Sequence, residues 1–313
     1  MTPKFSVVIP CFDERDSLPE LHAKLTDVLS KLGPYELLFV DDGSRDGSFD
    51  VIRELYHQDP AVRGLQLRRN FGKSAALAEG FRAARGEIII MIDADLQDEP
   101  NEIPKLVTHL NNVDLVTGWK QVRNDPWTKT FPSKMFNGTA KLLFGVKLND
   151  LNSGLKVMRR DVATTIELYG EQHRFIPILA VMHGFKVGEL PVIHHQRKFG
   201  RSKYGWQRFV RGSFDLTTIA FLSRFQQRPM HLFGTIGALF IAAGVIMAGY
   251  LSVIHFQGQS IGSRPLLTFS VLGIITGLQF LFTGLLAELI TNRSERKRFP
   301  IRTVLDHEHH GAE

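Results

Sequence analysis

The chain has 313 residues, 38 Lys and Arg against 32 Asp and Glu, a formal net charge of +6 and one cysteine. That length bounds it to about one or two domains, and a lone Cys11 excludes an intramolecular disulfide, as suits a cytoplasmic domain. The basic balance is no argument for nucleic acid, because the charge is unevenly placed: mixed segments fill the first two-thirds and two long uncharged runs follow.

In chain order, Phe5 to Pro10 predicts a buried strand and Ser17 to Leu32 a helix. Glu36 to Val40 predicts a second strand, ended by Asp41-Asp42-Gly43-Ser44, and Ser48 to His57 a helix. Val62 to Leu67 is a third strand, Lys73 to Ala84 a helix and Glu87 to Ile92 a fourth strand. Asn101 to Asn111 is a helix, Asp114 to Gly118 a fifth strand, and a further strand falls within KVGELPVIHH. Strands alternating with helices imply a mainly parallel, three-layer α/β sheet with ligands beyond the carboxyl ends of the strands. Acids gather at those ends: Asp13 and Glu14, Asp41 and Asp42, Asp93 and Asp95. One such acid is ordinarily a helix N-cap. Three clusters on three strand ends are expected to rim a crevice rather than to be buried.

No GxGxxG follows the first strand and no GxxxxGK[ST] occurs anywhere, which leaves dinucleotide redox chemistry and P-loop hydrolysis without support. An acidic crevice repels phosphate unless a divalent cation lies between them. Asp93-Ala94-Asp95 projects two carboxylates suited to Mg2+ or Mn2+ bridging diphosphate oxygens. Lys73 in NFGKSAAL reads either as a phosphate contact or as part of a plain turn into a helix. His194 and His195 are neighbours on a strand and point to opposite faces, which argues against a shared metal.

The uncharged runs, Leu232 to Ile254 and Leu266 to Ala287, each exceed the ~20 residues that cross a bilayer core as a helix. Their short link makes a hairpin. Arg197, Lys198, Arg201, Lys203, Arg208, Arg211, Arg224 and Arg228 precede it and Arg293, Arg296, Lys297 and Arg298 follow, while the link has only Arg264. The positive-inside rule then places both ends and the α/β domain on the cytoplasmic side of an inner membrane, and the basic flanks attract anionic lipid. The opening MTPKFSVVIPC is too short for a signal peptide. Trp206, Phe209, Val210, Phe214, Phe221 and Phe225 fit an amphipathic interface helix, or a core helix of the α/β domain. Glu288 sits near the cytoplasmic end of the second span, and His307 to His310 read as a solvated tail. Gly234, Gly237, Ala238, Gly244, Gly273 and Gly277 permit close helix packing and suggest a homo-oligomer. The expected division is 1–203 α/β domain, 204–230 juxtamembrane helices, 231–290 spans (about 232–254 and 266–288) and 291–313 tail.

Six stretches in order resemble the family 2 glycosyltransferases of GT-A fold, in the branch that acts on polyprenyl phosphates: VVIPCFDE (7–14), FVDDGSRDGS (39–48), RNFGKSAALAEGF (69–81), IDADLQDEP (92–100), NDLNSGLKVMRRD (149–161) and RKFGRSKYG (197–205). The resemblance implies that Pro10, Phe12, Glu14, Val40, Asp42, Asp93 and Ala94 hold the nucleotide. It implies that Asp93, Asp95 and Gln97 hold metal and sugar diphosphate, that Asp95 and Asp150 are catalytic, and that Arg197 and Lys203 meet phosphate. Arg123 and Lys120 are its candidates for the lipid phosphate. Three positions depart from the family pattern: Asp13 stands where Asn is common, Leu155 where Phe is usual, and Lys120 where a mannose synthase has Arg, so the bidentate fork is lost there.

The implied function is inverting transfer of one hexose from a nucleotide sugar, UDP- or GDP-linked with UDP favoured, to polyprenyl (undecaprenyl) phosphate with Mg2+ or Mn2+. The implied partners are those substrates and membrane lipid, not nucleic acid. A processive polysaccharide synthase is the alternative enzyme, against which stands the absence of Gln-x-x-Arg-Trp. A catalytically silent nucleotide-sugar-binding scaffold is the alternative outside enzymes, against which stand the intact Asp93, Asp95, Asp150 and Ser202-Lys203.

Overall fold

The computed structural model describes residues 2–120, 148–195, 229–262, 264–292 and 301–305. Seven consecutive buried residues, Phe5–Cys11, form β1, and β2 (Tyr35–Asp41) and β3 (Val62–Leu67) pair beside it in parallel. Strand β4 (Ile88–Met91) pairs in parallel on the other side of β1. Helix α1 (Leu18–Leu29) turns Leu18, Leu21, Leu25, Val28 and Leu29 inward at helical spacing. Helices α2 (Ser48–Gln58), α3 (Lys73–Ala83) and α4 (Ile103–His109) complete the crossovers, α4 after a 3-10 turn at Pro100–Glu102.

Beyond β5 (Leu115–Lys120) the order departs from simple alternation. Strand β6 (Lys156–Arg159) inserts antiparallel between β4 and β5, setting Lys156 opposite both Met91 and Thr117. Helix α5 (Arg160–Thr165), a 3-10 turn at Gln172–Phe175 and helix α6 (Ile176–Met182) lead to β7 (Val187–Val192), parallel to β5. Among the described residues the strands form one sheet, ordered β7-β5-β6-β4-β1-β2-β3-β8. The last strand, β8 (Ile301–Leu305), lies antiparallel on β3 and was not predicted.

A second compact unit holds two apolar helices, α7 (Pro229–Phe256) and α8 (Pro265–Asn292), each long enough to cross a membrane. Gly237 faces Gly277, and Gly244 faces Ser270 and Ile274. A Cβ on Gly237 would come within 2.6 Å of the Gly277 carbonyl, so these glycines bring the two backbones together within one chain. They serve the hairpin itself, and the oligomer inferred from them loses that support. Outward the helices present large apolar side chains such as Ile246 and Ile290, each 71% exposed, as lipid-facing helices do. The juxtamembrane stretch predicted as amphipathic and the histidine tail lie outside the described residues.

Candidate active site

Past β4 the chain turns at Ala94 and Asp95, and burial alternates along it. Ala94, Leu96 and Asp98 are buried, while Asp93, Asp95 and Gln97 stay half-open. Ala94 and Leu96 belong to the apolar core, while the three expected metal-side residues between and beside them stay partly accessible. Leu96 does this at φ 58°, a left-handed conformation costly for a Leu and of the kind that clusters at functional turns. The Asp95 carboxylate accepts from the Gln97 N–H at 3.3 Å, and the Gln97 amide reaches the His195 carbonyl at 3.4 Å. His194 pairs with Asp98 (3.2 Å) and His195 with Glu99 (3.0 Å), so the two histidines part as the strand pattern required.

The expectation that the strand-end acids rim a crevice rather than being buried is corrected for Asp41 and Asp42, which are buried, as are Asp98 and Asp150. Each buried carboxylate accepts a hydrogen bond that holds a loop. Asp41 accepts from the Ser44 N–H (3.1 Å) and the Gln66 amide (3.3 Å), and burial raises its pKa. Asp42 accepts from the N–H groups of Phe71 (2.7 Å) and Gly72 (2.8 Å). Burial pushes the Asp42 pKa up to about 6 against the pull of those two bonds. Asp42 therefore fixes the turn that opens α3. Val40 likewise points inward, against α3 at Gly80. Pro10 is buried near the end of β1, and Phe12 and Glu14 lie half-buried in the following loop. Asp13, at φ 52°, accepts from the Arg45 N–H (2.9 Å) and donates its own N–H to the Ser44 hydroxyl (2.9 Å). Its carboxylate ties two loops together, a task that an Asn carbonyl performs equally well.

Two lysines complete the site. Lys73, the first residue of α3, sets its ammonium 2.5 Å from Asp93 Oδ1. Sequence reading left Lys73 between a phosphate contact and a plain turn; the structure puts it on the Asp-x-Asp motif. Lys156 is fully buried on β6 and donates to the Ser153 carbonyl. Burial and then Lys73 lower its pKa to about 8, while Asp93, Asp150 and Asp98 pull upward. Sequence reading missed Lys156, because a Lys between Leu155 and Val157 reads as the outward residue of an alternating strand.

Gly154 brings the carboxylates together: a Cβ there would lie 2.2 Å from Asp98 Oδ2 and 2.8 Å from Asp93 Oδ2. Only glycine fits that approach. Glu189 on β7, also missed, accepts from the Asn149 N–H (2.9 Å) and the Asp150 N–H (2.7 Å) and so sets the turn that carries Asp150. Lys120 ends β5. Arg123, Arg197 and Lys203 lie outside the described residues.

Among the described residues no three His, Cys, Asp or Glu side chains converge to hold a metal ion by themselves. Two half-open carboxylates fit a hard divalent cation that takes its other oxygens from a ligand, the habit of Mg2+ with phosphates.

A sheet of this order, with Asp-x-Asp closing its fourth strand, defines a glycosyltransferase of GT-A type. The chain belongs to glycosyl transferase family 2, whose sequence profile matches residues 6–166. It is 35% identical over 315 residues to a dodecaprenyl-phosphate galacturonate synthase of Rhizobium johnstonii, with 97% of this chain and 93% of that protein covered. The fold is shared with glucosyl-3-phosphoglycerate synthase of Mycobacterium tuberculosis. Its complex with Mn2+ and uridine-diphosphate-glucose matches with TM-score 0.54 at 20% identity, over 70% of this chain and 79% of that one. The complex of the same enzyme with phosphoglyceric acid gives TM-score 0.54 at 18% identity, over 71% and 80%.

Proposed function

We propose that this glycosyltransferase moves one sugar from a nucleotide sugar to a polyprenyl phosphate at the cytoplasmic face of a membrane. The observation that carries the reading is the pattern of burial from Asp93 to Gln97, which leaves Asp93, Asp95 and Gln97 partly accessible in the turn just past β4, with the Lys73 ammonium on Asp93. The near full-length relative named for a polyprenyl-phosphate product supports the acceptor class. A fold neighbour that holds Mn2+ and a UDP-sugar supports the donor class and the metal.

The acceptor phosphate is anionic at neutral pH, its second pKa near ~6 by analogy with phosphoamino acids, so it attacks the anomeric carbon without a general base. The new bond is phosphate oxygen to anomeric carbon, the bond to the diphosphate breaks, and the anomeric centre inverts. A divalent cation held by Asp93 and Asp95 would neutralise the charge that develops on the departing diphosphate. Lys73 adds a cation on the same side. Asp150, held by Glu189, orients sugar or acceptor. Lys120, Arg123, Arg197 and Lys203 are assigned to phosphate from their motifs, and Pro10, Phe12, Glu14 and Ala94 to the nucleoside. Asp42 acts on the nucleotide side through the loop it holds.

The hairpin anchors the enzyme. The basic residues before and after the hairpin put both of its ends on the same side of the membrane. The basic flanks make that side cytoplasmic. The test is transfer by purified protein in detergent, with Mg2+ or Mn2+, polyprenyl phosphate and labelled UDP- and GDP-sugars including galacturonate. Label in the organic phase from one donor is expected. Asp95→Ala should keep its fold and membrane extraction behaviour yet lose transfer by about a hundredfold or more. Label in polymer would favour a processive synthase, and turnover unchanged in Asp95→Ala would remove the metal assignment.

A further inference from the structure

We propose that Lys73 and the divalent cation exchange places on Asp93, so that the enzyme holds its metal firmly only together with the donor diphosphate. This rests on the reading of the site as a metal and nucleotide-sugar site. Asp93 is held from two directions. Its Oδ2 faces Gly154, where a Cβ would come within 2.8 Å, and its Oδ1 takes the Lys73 ammonium at 2.5 Å. A metal that takes Oδ1 must therefore displace the Lys73 ammonium.

The pair is accessible, with the two side chains 24% and 28% exposed, so exchange requires no unfolding. The base of Lys73 is fixed and its tip is not. Asp42 clamps the N–H groups of Phe71 and Gly72 just before it, while the four-carbon stem is flexible. Behind Asp93, the buried Lys156 adds a second positive charge to its surroundings. A divalent cation arriving alone meets two ammonium groups and two half-open carboxylates, a poor balance of charge. Arriving with a diphosphate, it brings oxygen ligands, and the displaced Lys73 gains an anionic partner in place of Asp93. The protein charge is the same before and after; only the pairing changes.

The test is metal binding, read without turnover. Mn2+ affinity of the full chain in detergent is measured from the electron paramagnetic resonance of free Mn2+, alone and with UDP or GDP. Wild type should bind Mn2+ weakly alone and at least about tenfold more tightly with the nucleotide it uses. Lys73→Met should bind Mn2+ alone about fivefold more tightly, the size of a half-buried ion pair, and bind the Mn2+-supported nucleotide about fivefold more weakly. Lys73→Gln repeats the measurement with a polar side chain, and unchanged melting temperatures exclude a folding effect. Mn2+ affinity unchanged or weakened in both variants overturns the exchange while leaving the metal site standing. Wild type that binds no Mn2+ even with either nucleotide overturns the site reading, and the exchange with it.

Discussion

Lys156 is a cation cut off from water, held to the Ser153 carbonyl on β6 between β4, which leads to Asp93, and β5. Its folded pKa of about 8 lies below the value of a free lysine. Below about pH 8 both folded and unfolded chains carry the proton, and the buried charge subtracts stability. Between about 8 and 10.5 the unfolded chain keeps a proton that the folded protein has released, so this group makes stability rise with pH. The rise amounts to about 3 kcal/mol in all. Urea unfolding of wild type and Lys156→Met at pH 7.5, 8.5 and 9.5 should show their difference shifting in favour of wild type as pH rises. Parallel profiles would remove the buried ammonium from the account. At this scale charge was readable and burial was not. Asp42 and Asp95 look alike in sequence, yet one is buried and accepts two N–H bonds from another loop, while the other stays half-exposed and accepts from the Gln97 N–H two residues on. The difference lies in a partner about thirty residues away, which no local pattern announces.

Helices and strands were legible where burial imposes a period. Strands β1, β2 and β4 announced themselves as largely apolar runs ending in acid, because strands covered on both faces are mostly apolar. Strand β6 did not, since Lys-Val-Met-Arg carries a charge at each end and enters the sheet antiparallel. The hairpin was legible from length and composition alone, but its contacts were not: the glycines that suggested an oligomer are used between α7 and α8. Gly277→Leu would drive a side chain into Ile241 and the Gly237 carbonyl, where a Cβ alone already approaches to 2.5 and 2.6 Å. Its melting temperature in detergent should fall by several degrees, as overpacking costs about 1–3 kcal/mol. Gly249→Leu, with nothing within 4 Å of its Cβ position, is the control that should leave it unchanged. Equal melting temperatures in the two variants would contradict the packing described.

Across the whole molecule, the pairing with the greatest sequence separation is β3 with β8, Gly64 opposite Leu305. Ile-Arg-Thr-Val-Leu is too short and too near a basic run to be read as a strand, and its partner lies on the far side of the hairpin in sequence. Removing residues 297–313 would leave β3 as an open edge, a template for pairing with other chains. The truncated protein should melt several degrees lower and aggregate at concentrations where the full chain stays dispersed, as read by light scattering on heating. Unchanged melting would make β8 an ornament of the sheet. The pairing also sets a timetable for biogenesis. Synthesis runs from the N-terminus, so β1 to β7 are made first, both membrane helices next and β8 last. Until the hairpin has been made, the catalytic sheet lacks its final strand and β3 stays uncovered. Synthesis of the anchor and completion of the sheet are therefore one sequence of events, and a chain cut short before β8 carries an unfinished edge by which it can be recognised and removed.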